Sequence, residues 1–203
     1  SSVGTNTVIG NGSGEMLHLG TSGFTLYMSN NDRKYNFEPQ HIDMVGNTSF
    51  TEESFAIDST DVWFANNQSG TLHVYKVNHE TAAITKYNVG NVMGDSSVRG
   101  AALYNGDYYV AVRADDQGPW HGKVLRISST GSVVNTYYPS SGTANFVAES
   151  DWGLIGVENG VLTAVSGQPN TDIFAFDVET GNQLWTLNES QLGINHNSFD
   201  VFF

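Results

Sequence analysis

The residues best suited to bind a ligand cluster in one stretch, Ala114-Asp-Asp-Gln-Gly-Pro-Trp-His-Gly122, which joins two predicted strands. A tryptophan ring can stack on the apolar face of a sugar, and neighbouring carboxylates can accept hydrogen bonds from its hydroxyl groups. The equivalent connections at residues 66–70 and 166–170 are shorter and contain no aromatic residue. A solvated turn, with its tryptophan folded onto its own sheet, is the alternative interpretation. The predicted glycan or protein contacts are Asp115, Asp116, Trp120 and His121.

Metal and cofactor chemistry finds little support in the residue types. Asp115 and Asp116 could ligate calcium together with backbone carbonyl groups, but their spacing matches no EF-hand-type loop. The six histidines are scattered, without the His-x-x-x-His spacing of a helical metal site. The chain has no cysteine, which excludes disulfides, thiolate ligands and a cysteine nucleophile. We therefore expect no cofactor.

The common signatures of catalysis are also missing. The sequence contains no Gly-x-Ser-x-Gly elbow, no phosphate-binding loop and no dinucleotide fingerprint. The glycines of residues 10–14 are typical of a turn, since no helical pattern follows them. These absences favour a non-catalytic binding protein over an enzyme.

The charge balance limits the choice of partner. Asp and Glu outnumber Lys and Arg by 21 to 8, which gives a formal net charge of −13. Such a chain repels the phosphates of nucleic acid and the surface of an anionic membrane. No apolar run approaches the roughly 20 residues of a membrane-spanning helix, and Ser1 begins no signal peptide. A composition rich in Gly, Ser, Thr and Asn favours an extracellular, cell-surface or periplasmic location.

The elements that must position these residues are predicted by an internal repeat. The stretch from Thr171 to Leu187 has two alternating strands joined by Glu179-Thr180-Gly181, which is a hairpin pattern. Similar turns occur at Ser129-Thr130-Gly131 and Glu80-Thr81-Ala82, so the interval is 50 and then 49 residues. A period of this length is typical of stacked or circular repeat folds.

Four units of four strands follow from this register. The predicted units span residues 1–47, 48–96, 97–144 and 145–192, and residues 193–203 begin a further strand. In the first unit we place the fourth strand at residues 34–37, and no segment has a convincing helical period. Four-stranded units without intervening helices predict an all-β fold of the β-propeller type, in which each sheet is a blade. A β-sandwich is the alternative, but it would not require the same turn at equivalent positions.

One unit resembles a known repeat class. The pattern Ala175-x-Asp177-x-x-Thr180-Gly181-x-x-x-Trp185 resembles the tryptophan-docking motif of pyrroloquinoline-quinone (PQQ)-type propeller repeats. The resemblance implies that the tryptophan stacks between adjacent blades and that the glycine permits the tight turn. Truncation of such a buried tryptophan should cost roughly 3 to 5 kcal/mol. The other units depart from the motif at Lys76, Thr85, Arg126 and Asn135.

The resemblance carries limited implications for chemistry. Quinoprotein dehydrogenases of this class usually add an adjacent cysteine pair, which this chain lacks, so quinone catalysis is not expected. Relatives usually have more blades than four, which implies a larger propeller or partner subunits that cover the end faces. The sequence thus predicts a non-catalytic secreted or cell-surface scaffold that binds protein or glycan. The alternative is a propeller enzyme, a quinoprotein-like oxidoreductase or a hydrolase or lyase, with its site in the central channel.

Overall fold

A computed structural model of the chain describes residues 8–10, 16–19, 23–29, 37–43, 54–68, 70–78, 80–90, 98–114, 121–138, 155–165 and 172–193. For residues 8–43 it describes the strands and their pairing. Within these residues the chain forms strands β1 to β16 and one short helix, α1. No helix among them has the length and apolar character to cross a membrane.

The strands form four antiparallel sheets, which we number in chain order. Sheet 1 contains β1 (Val8–Gly10), β2 (Met16–Leu19), β3 (Gly23–Ser29) and β4 (Phe37–Asp43). Sheet 2 contains β5 (Ala56–Ile57), β6 (Asp61–Gln68), β7 (Thr71–Asn78) and β8 (Ile84–Gly90). Sheet 3 contains β9 (Val98–Tyr104), β10 (Asp107–Ala114), β11 (His121–Ile127) and β12 (Val133–Tyr137). Sheet 4 contains β13 (Ile155–Glu158), β14 (Val161–Val165), β15 (Ile173–Asp177) and β16 (Gln183–Leu187), and α1 (Glu189–Leu192) follows it.

Every sheet is a simple meander, in which each strand pairs with its neighbours in sequence. The strong alternation of β10 shows why the sheets stack. Tyr109 and Ala111 pack against sheet 4, whereas Tyr108, Val110 and Val112 pack against sheet 2. All five are buried. Sheet 3 therefore buries both of its faces, which fits a stack of blades and not a two-sheet sandwich.

The recurring turn predicted from the sequence is a real structural repeat. In sheet 4, Oδ1 of Asp177 accepts hydrogen bonds from the backbone N–H (2.7 Å) and the hydroxyl (2.8 Å) of Thr180. In sheet 2, Oδ1 of Asn78 accepts the same two bonds from Thr81, both at 2.9 Å. Asp177 and Asn78 thus stabilise a turn in which the residue after the threonine has a left-handed backbone conformation. Glycine adopts this conformation most easily. The left-handed residues are Ala82 (φ 59°), Gly131 (φ 84°) and Gly181 (φ 74°).

One predicted strand boundary is wrong, and one short helix was not predicted. The fourth strand of sheet 1 is Phe37–Asp43 instead of residues 34–37, and it includes Pro39. This strand lies at the sheet edge, where proline is tolerated because one side of the strand needs no hydrogen-bond donor. The helix α1 was not predicted, although Asn188 and Gln191 form a capping box. Asn188 Oδ1 accepts the N–H of Gln191, and Gln191 Oε1 accepts the N–H of Asn188, both at 3.0 Å.

We predict that Gly131→Ala destabilises the protein by about 2 to 5 kcal/mol, through left-handed strain and steric overlap. A methyl group at this glycine would overlap the Tyr87 ring and come within 2.7 Å of its Cβ. Gly160 is the matched control, since its φ is 79° but nothing lies within 4 Å of the same position. Gly160→Ala should cost only about 1 to 2 kcal/mol. Equal losses in urea unfolding would show that the contact with Tyr87 is unimportant.

The turn of sheet 4 should contribute acid sensitivity. The N–H and hydroxyl of Thr180 lower the pKa of Asp177 from its ordinary value of 3.8, against a small opposing effect of burial. Because the folded pKa lies below the unfolded one, the contribution is complete above about pH 4 and is lost as pH falls through the folded pKa. Asp177→Asn keeps the acceptor, as Asn78 does naturally, and should flatten stability against pH in this range. An unchanged profile of melting temperature below pH 4 would contradict this assignment.

Candidate functional site

The predicted loop site is only partly described by the structure. Asp115, Asp116 and Trp120 lie outside the described residues. His121 is the first residue of β11, and its backbone pairs with Ala114 at the end of β10. The loop thus leaves and enters sheet 3 at one end of the sheet, while binding by the four residues stays a prediction.

A second candidate surface emerges from the seams between sheets. At the seam of sheets 2 and 3, Tyr87 of β8 lies against Gly131 in the third-to-fourth turn of sheet 3. Its hydroxyl donates a hydrogen bond to the carbonyl of Ser129 in the same turn (2.9 Å). A fourth strand therefore receives the turn of the following sheet.

The seam of sheets 3 and 4 repeats this arrangement with different residues. Asn135 of β12 lies beside Gly181, where an added methyl group would be 3.1 Å from its Nδ2. The hydroxyl of Tyr137 donates to the carbonyl of Val178 (2.7 Å), and Arg126 Nη1 donates to Glu179 Oε1 (3.0 Å). All of these groups hold the turn that begins after β15.

Arg126 is the central charge of this seam. Its Nε donates to Asp107 Oδ2 at 2.7 Å, and its Nη1 also reaches the carbonyl of Val178 at 3.2 Å. The guanidinium lies 5.9 Å from the centre of the Tyr109 ring, within reach of a cation–π interaction. Burial opposes the charged form, but the hydrogen bond to Asp107 and the neighbouring groups outweigh it and raise the pKa of Arg126. Burial likewise raises the pKa of Tyr137, which keeps its hydroxyl a donor.

Sheet 2 contains the counterpart of this cluster at equivalent strand positions. Lys76 Nζ lies 3.3 Å from Asp61 Oδ2 and 5.2 Å from the centre of the Trp63 ring. Register explains the likeness, because Lys76 pairs with Trp63 just as Arg126 pairs with Tyr109. In the sequence, both cations stand out only as departures from the tryptophan motif. A search for an acidic residue, an aromatic residue and a cation at matching positions in two units would have found them.

Trp185 occupies in sheet 4 the position that Asn135 occupies in sheet 3. It pairs with Ala175, as Asn135 pairs with Arg126, so it lies on the corresponding face of sheet 4. The side chain is 45% exposed, so the predicted burial is wrong. The physical reason is that its fourth strand lies at the edge of the last described sheet. Its docking role between blades stays a prediction, and its loss should cost less than a buried tryptophan would.

The exposed apolar residues lie on equivalent strands of three sheets. Among the described residues, the large hydrophobic side chains that are exposed all lie on a fourth strand or next to one. Sheet 4 contributes three of them close together, including Leu184 at 50% exposure. The set consists of Ile84, Val133, Val134, Tyr138, Leu184, Trp185 and Leu187. Clustered apolar residues of this kind are typical of protein contact surfaces.

A polar row lies on the opposite face of sheet 2. Asn66 pairs with His73, and Phe64 pairs with Tyr75, so these four side chains share one face. Asn66 is only 2% exposed, and neither atom of its amide has a hydrogen-bond partner among the residues that the structure describes. Nδ1 of His73 and the hydroxyl of Tyr75 are also buried, with no partner among these residues. Each such group typically costs about 1 to 3 kcal/mol, so the row calls for an explanation.

The row is electrically neutral at physiological pH. Burial, followed by the nearby charge of Lys86, lowers the pKa of His73, while an interaction with the Thr71 backbone acts in the opposite direction. Within the part of the chain that the structure describes, no three His, Cys, Asp or Glu residues form a cluster that could hold a metal ion. Hydrogen bonding by neutral groups is therefore the chemistry that the row offers.

Comparison with known proteins gives the fold class. No protein family matches the chain, and no curated protein matches its sequence. Apo AztD from Citrobacter koseri is similar in structure, with a TM-score of 0.56 at 10% identity, over 89% of this chain and 46% of that one. An apocarotenoid oxygenase variant from Synechocystis gives 0.50 at 13% identity, over 86% and 46%. The chain thus spans about half the length of these two proteins.

The WD40 β-propeller domain of Doa1 is a further similar structure, with a TM-score of 0.41 at 12% identity over 88% of this chain and 67% of that one. At such identities the likeness concerns the fold alone. Together with the stacked meanders, the likeness to AztD shows that the chain is an all-β, propeller-type protein whose sheets are blades. The neighbours include binding proteins and enzymes, and they do not single out PQQ-type repeats.

The two cation clusters allow a matched test of the seam. Arg126→Ala leaves Asp107 without its partner, and both side chains are mostly buried, at 13% and 16% exposure. We expect a loss of about 3 to 5 kcal/mol in the free energy of unfolding. Lys76→Ala removes the equivalent cation from a more exposed pair and should cost about 1 kcal/mol. Urea unfolding measures both losses. A smaller loss for Arg126→Ala than for Lys76→Ala would show that Arg126 is not the main stabilising charge of the seam.

Proposed function

We propose that this chain is a non-catalytic propeller scaffold that binds another protein subunit through the face of sheet 4 that carries Trp185. One observation supports the proposal above all. At the seam of sheets 3 and 4, Asn135 of a fourth strand contacts the left-handed turn of the next blade, and Trp185 occupies the equivalent place on sheet 4 while exposed. A large aromatic residue on an apolar patch is suited to be the centre of an interface.

The occupant that we propose is a second copy of this chain. The seams show that a blade with a left-handed third-to-fourth turn fits such a face, and this chain builds that turn in sheets 2, 3 and 4. The shape of the seams therefore favours a blade supplied by another copy.

The proposal includes the finer predictions from the sequence. The chain would be a PQQ-type repeat protein at the cell surface or in a secreted assembly, as its docking motif and composition suggest. Protein or glycan binding would use the loop between β10 and β11, with Asp115, Asp116, Trp120 and His121 as contacts. These residues would lie apart from the Trp185 face and leave it available for assembly.

Sedimentation velocity over a wide concentration range tests the assembly. The native chain should form dimers as concentration rises, and added salt should strengthen them by screening the repulsion between copies of charge −13. Trp185→Ala should weaken association by about tenfold or more, as expected for a central tryptophan. Its melting temperature in dilute solution should change little, because the side chain is already partly exposed.

Ile84→Ala is the matched control, since it removes another exposed apolar side chain from a fourth strand, on sheet 2. Association should persist in this variant. A native chain that stays monomeric at every concentration and salt level would refute the second copy as the occupant. Equal weakening by both variants would show that the Trp185 face has no special role.

A further inference from the structure

The unpaired polar row of sheet 2 has no role in the proposed assembly. It lies on the face of sheet 2 away from sheet 3, because its register alternates with that of Ala65 and Val74, which pack on sheet 3. Asn66 and His73 are directly opposite each other on adjacent strands, where side-chain β-carbons are about 4.5 to 5.5 Å apart. The hydroxyl of Tyr75 belongs to the next pair along the same face. Three unsatisfied groups are thus neighbours.

Aromatic rings form the apolar border of this row. The rings of Phe64 and Tyr75 stack with their centres 4.9 Å apart, and Phe55 stacks on Phe64 at 4.8 Å. The row itself lies close to the connection between β6 and β7, where Gln68 pairs with Thr71. In sheet 3 the loop after Ala114 leaves from the corresponding end. An entering molecule would therefore approach from the end of the blades that carries these connections.

We propose that Asn66, His73 and Tyr75 form a binding site for a neutral sugar residue. The Asn66 amide offers two donors and an acceptor, while the imidazole and the phenol add one unpaired polar atom each. A sugar hydroxyl both donates and accepts, so adjacent hydroxyls can satisfy an amide and its neighbours together. The net charge of −13 disfavours an anionic ligand.

Internal water is the competing explanation, since buried water often satisfies such groups. The two explanations differ in their response to Asn66→Leu, a variant that keeps side-chain size and removes both unpaired atoms. In buffer alone the variant should melt higher by at least about 3 °C, because a buried amide without partners has been removed. The same variant should lose the response to sugar. A variant that is more stable than the native chain but no longer binds is the result expected at a ligand-binding site.

Thermal unfolding in the presence of glucose, galactose or N-acetylglucosamine provides the measurement, with glycerol at matched concentration as the control. We expect at least one sugar to raise the melting temperature of the native chain beyond the effect of glycerol. Asn66→Leu should reduce that affinity by about tenfold or more, in line with the loss of paired hydrogen bonds at a polar site. Asn182→Leu, which alters an exposed asparagine on the turn of sheet 4, should respond as the native chain does.

NMR of the native protein makes the test independent of how the variant folds. The side-chain amide signal of Asn66 should shift on titration with the same sugar. No shift with any of the three sugars would overturn the proposal, whatever the stability of Asn66→Leu. An equal sugar response in the native chain and Asn66→Leu would overturn it as well.

Discussion

Burial of a sheet face by the next sheet is the interaction on which this fold depends. A four-stranded meander has two faces, and sheet 3 shows that both are covered, by sheet 2 on one side and sheet 4 on the other. Each blade therefore obtains its core from its neighbours, as in other repeat folds. Within this constraint the same turns and cation clusters recur, while the residues that form them change from blade to blade.

The seams show how much the residues can vary while the geometry persists. Tyr87 and Asn135 both receive a left-handed turn, although one is a large aromatic residue and the other a small amide. The cation of the seam is a lysine in sheet 2 and an arginine in sheet 3. Arginine adds bonds to Val178 and Glu179 of the next blade because its guanidinium presents several donors. Polar ties thus reinforce an interface whose main stabilisation is apolar.

Much of the fold could be predicted because two signals agree in sheets 2, 3 and 4. Strict alternation marks the strands, and the repeated Thr-Gly or Thr-Ala turn sets their register. Sheet 1 was harder, because Pro39 lies in its edge strand β4 and a proline usually argues against a strand. The short helix has a capping box but too few residues for a helical period.

The candidate sites were less predictable. Polar residues such as Asn66 and His73 have the sequence pattern of the solvent side of a strand, although Asn66 is buried and His73 is partly buried. Trp185 differs in the opposite direction, because it is predicted to be buried and is exposed. Its motif predicts burial between blades, but burial requires a neighbour on that face, and the motif alone contains no information about the neighbour. Sequence periodicity therefore predicts which face a side chain occupies better than what covers that face.

The seams also have a direction. In both of them a fourth strand of the earlier blade receives a turn of the later one, so the two sides of the contact are different surfaces. An assembly that reuses this contact joins a front surface to a back surface, so each added copy presents a fresh front. Such head-to-tail growth stops only when the rotation from blade to blade closes a ring, so that the last blade contacts the first blade. The twist between sheets, more than the strength of any one contact, would then decide between a closed ring and an open filament.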